Sequence, residues 1–197
     1  GLNVFGAPGL LTLPSARMLE PGTIVFSAAT TDPYLHGTFG IQLAEPLYIG
    51  VRQSGQISSL RSKADKLAPG IDARLRLFPE TAYTPEVSLG GVSLLGHKRL
   101  AGEYLAFSKR YERLAVTAGL GWGRFGSRGN IPNPLGFLSD HFDGERNDDD
   151  PEEGNGADDW FTGEEIGLFG GVEYELPFAP QLHVLTDCAT SRSIFCR

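Results

Sequence analysis

The sequence is poor in the residues that mark several common classes of protein. It has one methionine and two cysteines among 197 residues. Cys188 and Cys196 both lie in the last ten residues, so a disulfide formed in an oxidising compartment would close a short loop without stapling the fold. No stretch approaches the roughly 20 apolar residues of a transmembrane helix. This excludes a helical span, whereas a membrane barrel stays open because its strands alternate.

Basic residues are also scarce, and the acidic ones are concentrated. The net charge is -7, and residues 140–159 hold ten of the 24 acidic residues but one of the 17 basic ones. The rest of the chain is therefore near neutral, and it has no cluster of basic residues of the kind that binds nucleic acid. The acidic run does not match the spacing of an EF-hand, so we interpret it as a solvated extracellular loop. Ca²⁺ binding there is the alternative.

Glycine, proline and phenylalanine are abundant, with 26, 13 and 12 residues. Turn-forming and strand-forming residues of this kind favour an all-β class. The clearest alternation runs from Leu114 to Gly123, where large apolar residues share one face and small residues the other. A period of two indicates a β-strand. The preceding run, Tyr104–Ser108, alternates in the same way, so the two predict a hairpin.

Nine runs of this kind predict an antiparallel up-and-down meander, and they include Thr38–Leu43, Thr84–Leu95 and Glu165–Leu176. The alternation in Thr84–Leu95 shifts phase, which a bulge at Gly90-Gly91 would explain. The second, fourth, sixth and eighth connections are short, whereas the third and seventh, residues 54–69 and 124–164, are long. Long loops at one end and tight turns at the other are typical of outer-membrane barrels. Such barrels have even strand numbers in bacteria, so nine strands indicate an incomplete barrel or one wrong assignment. We therefore divide the chain into an irregular leading segment (1–22), a β-barrel domain (23–187) and a non-conforming tail (188–197).

Aromatic residues cluster at both ends of the predicted strands, as expected for two membrane interfaces. The group on the long-loop side is Tyr34, Trp122, Phe125, Trp160 and Phe161, and the group on the short-turn side is Phe78, Tyr83, Tyr111 and Phe178. A soluble barrel or sandwich would reverse the faces, with apolar residues inside. Small and glycine-rich opposite faces favour the membrane arrangement.

Six charged residues share the face opposite the apolar one, and we expect them to point into the barrel interior. They are Arg52, Asp72, Arg74, Arg76, Glu173 and Glu175. They could contact an acidic or polyhydroxylated solute, or they could form inward ion pairs that brace a narrow interior, the interpretation we favour.

The sequence gives no signature of catalysis or of a cofactor. The four histidines have no ligand spacing, so no metal site is predicted. GxSxG and phosphate-binding glycine loops are absent. A pair of catalytic carboxylates for glycoside hydrolysis is not excluded in so acidic a chain, but no pattern in the sequence identifies one pair.

Several runs together resemble the YjbH/GfcD family of exopolysaccharide biosynthesis proteins. They occur in family order along residues 9–177: GLLTLPSAR at Gly9–Arg17, EYLAFSKR at Glu103–Arg110, GLGWGR at Gly119–Arg124, NPLG at Asn133–Gly136 and FTGEEIGLFGGVEYELP at Phe161–Pro177. Family members are longer, so the resemblance implies an amino-terminal portion. Beyond Asp187 the chain departs from the family pattern, and we expect either a truncated or frame-shifted sequence there or a genuine disulfide-tied tail.

The resemblance implies a β-barrel in the outer membrane of Gram-negative bacteria, with some members being lipoproteins. It implies a non-catalytic component of exopolysaccharide or capsule biosynthesis and export, with outer-membrane lipid, polysaccharide and other secretion proteins as partners. A polysaccharide-modifying enzyme and a soluble β-domain acting as a binding module are the alternatives.

Overall fold

The computed structural model describes residues 2–3, 7–31, 34–56, 67–96, 100–126, 131–144, 156–190 and 194–196. Regular structure in these ranges is β-strand, apart from two three-residue 3₁₀ turns at Gly123–Phe125 and Ala157–Asp159. None of the helical turns in these ranges is long and apolar enough to cross a bilayer. The predicted all-β class is confirmed.

In these ranges ten strands follow one another in one antiparallel sheet, and an eleventh, β8, pairs with β9 beside them. The strands are β1 Ile24–Thr31, β2 Tyr34–Ala44, β3 Leu47–Gln56, β4 Leu67–Phe78, β5 Glu86–Leu94, β6 Gly102–Tyr111, β7 Leu114–Gly121, β8 Ile131–Pro132, β9 Glu165–Leu176, β10 Ala179–Thr190 and β11 Ile194–Cys196. The order is the predicted meander. Across the described residues β1 and β11 each have one neighbour, so the sheet is not closed there.

The turns at one end of the sheet are tight. Glu45–Pro46, Glu112–Arg113 and Pro177–Phe178 each join two long strands with two residues. The connection from β7 to β9 lies at the opposite end and takes residues 122–164. The other loop predicted to be long falls mostly on residues 57–66, outside the described part of the chain.

The two faces of the sheet differ sharply in polarity. Leu75 is 45% exposed on the outer face, whereas its neighbour Arg74 is 3% exposed on the inner one. The register places six leucines side by side across six strands, and this outer row is Leu47, Leu75, Leu89, Leu105, Leu120 and Leu168. A soluble domain would bury these leucines, so the apolar-out arrangement predicted from the sequence is present.

Glycines on the inner face make room for aromatic rings from neighbouring strands. Gly90 pairs with Tyr104, and Gly119 pairs with Phe169. A Cβ atom at either glycine would overlap the facing ring. Gly90 and Gly119 are therefore needed because an aromatic ring lies across each of them.

Residues 7–19, here called the plug segment, cross the inner face without forming a strand. Leu10, Leu13 and Ala16 are buried there. They join one apolar cluster with inner-face side chains, which include Val92, Tyr104, Ala106, Phe125 and Phe169. The hydrophobic core thus lies between the plug segment and the inner wall of the sheet.

One bulge lies at a different place from the one predicted. The change of phase in β5 suggested a bulge at Gly90-Gly91. The register instead pairs Gly91 with Ala73 and Leu94 with Ile71, so the extra residue falls between Gly91 and Leu94. Ser93 has a φ of 54° and its N–H donates to Asp72 at 2.9 Å. The bulge sits there because it aims this donor at a buried carboxylate.

Part of the predicted aromatic arrangement is wrong. Trp122 and Phe125 are buried rather than placed at an outer interface. Phe125 belongs to the core cluster, and the Trp122 ring lies 5.3 Å from that of Phe161. On the short-turn side Phe78, Tyr83, Tyr111 and Phe178 are all more than half exposed, as expected. The difference arises because the long connection folds back over the wall and covers the strand ends.

The end of the chain continues the sheet. We separated residues 188–197 as a tail, yet β10 runs on to Thr190 and β11 pairs back against it. Cys188 is disulfide-bonded and lies opposite Cys196 in the register.

Candidate functional site: the wall around the plug segment

Arg74 on β4 binds the main chain of the plug segment. Its guanidinium donates to the carbonyl oxygens of Pro8 at 2.5 Å and Arg17 at 2.8 Å, and to the Tyr104 hydroxyl at 2.6 Å. In the part of the chain that the structure describes, no carboxylate forms an ion pair with it. Hydrogen bonds to neutral acceptors therefore offset the desolvation cost of the buried Arg74 guanidinium, and two of these acceptors belong to the plug segment.

Asp187 on β10 binds the middle of the same segment from another strand. One carboxylate oxygen accepts from the Thr12 N–H at 2.6 Å, the Thr12 hydroxyl at 3.0 Å and the Leu13 N–H at 2.9 Å. Asp187 is 2% exposed. Hydrogen bonds to a buried carboxylate are among the stronger ones in proteins, at about 1.5–3 kcal/mol each.

Two neutral side chains complete the attachment. The Ser108 hydroxyl on β6 accepts from the Ala16 N–H at 2.9 Å, and the Gln42 amide oxygen on β2 accepts from the Leu19 N–H at 3.2 Å. Four strands thus hold the plug segment mainly by its backbone.

Arg52 and Asp72 form a buried ion pair beside this segment. The Arg52 Nε atom donates to both oxygens of Asp72, at 3.2 and 3.1 Å, and a guanidinium nitrogen completes the pair. Such a pair adds little net stability because both charges lose water, but removing one partner is costly. The pair fixes β3 and β4 against each other near the middle of both strands.

A network of charges lies at the short-turn end of the sheet and includes Arg17, the single basic residue of the plug segment. Arg17 contacts Glu80 at 2.6 Å and Glu86 at 3.5 Å, and Lys109 contacts Glu80 at 3.5 Å. Burial acts to raise the pKa of Glu80, but the N–H of Arg110 and the two cations outweigh it and lower that pKa. Glu80 is therefore an ionised anchor between the turn and the plug segment.

The structure separates the six predicted interior residues into three places. Arg52, Asp72 and Arg74 lie together in the deeply buried centre. Arg76 lies nearer the turns, where it contacts Glu86 at 3.6 Å and Glu45 at 3.2 Å.

The remaining two predicted residues, Glu173 and Glu175, lie on β9, away from that centre. Glu173 pairs with His183 at 2.8 Å, and Glu175 lies 3.9 Å from Arg110. The predicted residues therefore do not form one common site.

Asn133 organises the connection between β7 and β9. Its amide nitrogen donates to the carbonyls of Phe142, Phe161 and Gly163 at 2.9–3.0 Å. Its amide oxygen accepts from Trp122 Nε1 at 3.0 Å. Asn133 is 5% exposed, so a single side chain closes this loop against the end of the wall.

Little free space lies between the plug segment and the wall around Arg74. The inner cavity, which Arg74, Asp72 and Tyr104 help to line, measures about 10 Å³ and accommodates at most one water molecule. Among the described residues no group of three or more His, Cys, Asp or Glu side chains could hold a metal ion. Most of the acidic loop considered for Ca²⁺, residues 145–155, lies outside the described residues.

Sequence reasoning missed Asp187, Ser108, Gln42 and Asn133 as important residues. Each acts on main-chain atoms far away in sequence, and the Thr12–Asp187 contact spans 175 positions. The run GLLTLPSAR, which forms most of the plug segment, was noticed as a family motif. It has no periodicity, so the sequence did not predict where this segment lies in the fold.

The fold and this site define a class: an antiparallel β-meander with an apolar exterior and an interior filled by its own leading segment. The sequence comparisons place the chain more closely. The family model described as exopolysaccharide biosynthesis protein YbjH (YjbH) matches residues 1–186. The chain belongs to this family.

A curated relative supports the assignment. The uncharacterized lipoprotein YjbH of Escherichia coli (strain K12) is 31% identical over 183 residues. The match covers 89% of this chain and 26% of the relative, so the chain spans about a quarter of the length of that protein. No solved structure matches.

Proposed function

We propose that this chain forms part of an outer-membrane β-barrel that takes part in exopolysaccharide or capsule biosynthesis and export without catalysis of its own. The family supplies the link to exopolysaccharide. The lipoprotein name of the E. coli relative supports association with a membrane. Polysaccharide, outer-membrane lipid and other secretion proteins are the proposed partners.

The observation that carries the membrane proposal is the outer face of the sheet. Phe26 is 79% exposed, its register neighbour Phe39 is 39% exposed, and Val51, the next residue across the sheet, is 55% exposed. A contiguous apolar surface of this extent is unfavourable in water, but lipid chains would cover it. Between its two edge strands the sheet pairs backbone N–H and C=O groups from strand to strand, as a bilayer requires.

The absence of catalysis is proposed because the buried carboxylates have structural partners. Asp72 pairs with Arg52, Asp187 holds Thr12 and Leu13, and Glu173 pairs with His183. A general acid or base needs access to a substrate proton. The cavity beside Asp72, about 10 Å³, is too small to bring a sugar bond to that carboxylate while the plug segment is in place.

Two measurements test the proposal on the full-length protein in its own bacterium. Density-gradient fractionation of the envelope should place it with outer-membrane markers, and deletion of its gene should reduce the polysaccharide released from cells. Recovery from the periplasm without detergent would contradict the barrel and favour a soluble binding module.

A third measurement separates a structural component from an enzyme. The variant Glu173→Gln should keep normal polysaccharide secretion, and neither the wild type nor the variant should shorten purified polymer. Polymer cleavage by the wild type that is lost in Glu173→Gln would favour the polysaccharide-modifying alternative.

A further inference from the structure

Two buried charges of opposite sign are satisfied by the plug segment rather than by each other. Arg74 donates to the carbonyls of Pro8 and Arg17, and Asp187 accepts from Thr12 and Leu13. Neither charge has an ion-pair partner among the described residues. The wall therefore presents one strong donor and one strong acceptor to whatever occupies the interior.

The surface between these two charges is aromatic. The rings of Tyr104, Phe125 and Phe169 lie within 5.9–6.4 Å of one another. They share one buried cluster with Leu10 and Leu13 of the plug segment. The interior site thus combines an aromatic floor with a donor and an acceptor.

This combination suits a sugar chain. Hydroxyl groups both donate and accept hydrogen bonds, and the C–H faces of a sugar ring pack on aromatic rings. The plug segment offers similar chemistry, because its carbonyls and N–H groups satisfy the charges while its leucines cover the rings. Building on the proposed function, we infer that the plug segment occupies a saccharide-binding site on the inner wall.

Because the plug segment already occupies the proposed site, a saccharide would have to compete with it, and this competition can be tested. The cavity of about 10 Å³ beside Arg74 leaves no room for a sugar ring. A saccharide can bind only when the plug segment moves away. Fixing the segment must therefore abolish binding, and weakening its hold without changing the wall must strengthen binding.

A reversible lock can be built from two neighbouring residues. The Ala16 N–H lies 2.9 Å from the Ser108 hydroxyl, so the two residues are close neighbours and the double variant Ala16→Cys with Ser108→Cys is the lock to test, with its disulfide verified by mass spectrometry before binding is measured. Binding of maltohexaose and of hexagalacturonate would be measured by calorimetry on the full-length protein in detergent. We expect the oxidised lock to weaken binding of the preferred probe at least tenfold and reductant to restore it. Wild-type protein with reductant is the control, because Cys188 is itself disulfide-bonded.

Two single variants separate the plug segment from the wall. Thr12→Val removes one hydrogen bond to Asp187 and should raise probe affinity about three- to tenfold, since part of the competition is lost. Arg74→Lys loses the forked donor geometry toward both the plug segment and a saccharide, so it should bind the probe more weakly than Thr12→Val, which leaves the wall unchanged. A purely structural segment would give no gain with Thr12→Val.

The outcomes decide between the possibilities. Equal binding by locked and unlocked protein, or no binding of either probe by Thr12→Val, would overturn the inference. Stronger binding of hexagalacturonate than of maltohexaose would indicate an acidic polymer and support the inference. If the full-length protein binds neither probe but deletion of its gene still reduces polysaccharide secretion, this inference alone is refuted. If the protein binds a saccharide but the deletion strain secretes as much polysaccharide as the wild type, the proposed function is refuted.

Discussion

A charge placed on the outer face should reveal whether that face meets lipid. Val51 is the fifth of ten residues in β3, it is 55% exposed, and it lies between Phe39 and Ile71 in the register. An arginine at the middle of a bilayer costs about 2–4 kcal/mol in a membrane barrel. Val51→Arg should therefore reduce the folding equilibrium constant roughly 30- to 700-fold. Denaturant titration of protein folded into lipid vesicles measures this change.

The same substitution near the turns provides the control. Leu77 is 41% exposed on the outer face of β4, one residue from the end of the strand. Near the interface an arginine costs about 0–1 kcal/mol. Leu77→Arg should therefore be tolerated where Val51→Arg is not. Equal and small effects, within about 0.5 kcal/mol, are those of a water-exposed surface and would refute the membrane assignment.

Three further variants test the interior. Asn133→Ala should destabilise the protein by about 2–4 kcal/mol because it leaves the buried Trp122 N–H and three part-buried carbonyls unpaired, and denaturant titration should show this loss. Gly119→Val should cost about 1–3 kcal/mol by clashing with Phe169, whereas Gly37→Ala, which meets nothing within 4 Å, should cost less in the same assay. Because the pKa of Glu80 is lowered in the folded state, its contribution is complete above the unfolded pKa and is lost as pH falls through the folded one. Glu80→Gln should accordingly flatten the acid side of the stability profile, and an unchanged profile would contradict the anchor role.

Much of the fold follows from local patterns. Leu75 and Arg74 take opposite faces because side chains alternate along a strand, and this holds whichever strands become neighbours. The strand from Glu165 to Leu176 has the predicted bounds, and the order of short and long connections required only turn residues and lengths. β2 begins four residues before its predicted start at Thr38, because pairing with β1 and β3 extends it beyond its own apolar pattern.

The placement of Trp122 and Asn133 could not be read in this way. Trp122 has the parity of an outward residue, yet it is buried because the Asn133 amide draws the loop over it. The Ser93 bulge had a visible change of phase, but its position depends on the carboxylate of Asp72 across the sheet. Such features are set by a partner that is distant in the sequence.

The sequence by itself determined which side chains share each face of the sheet, because a period of two is a property of neighbouring residues. Only the tertiary structure decided what fills the inner side. Arg74 and Asp187 hold main-chain atoms of the plug segment, and every residue type except proline has both the carbonyl and the N–H involved. Contacts of this kind leave no pattern in the side chains from which they could be predicted.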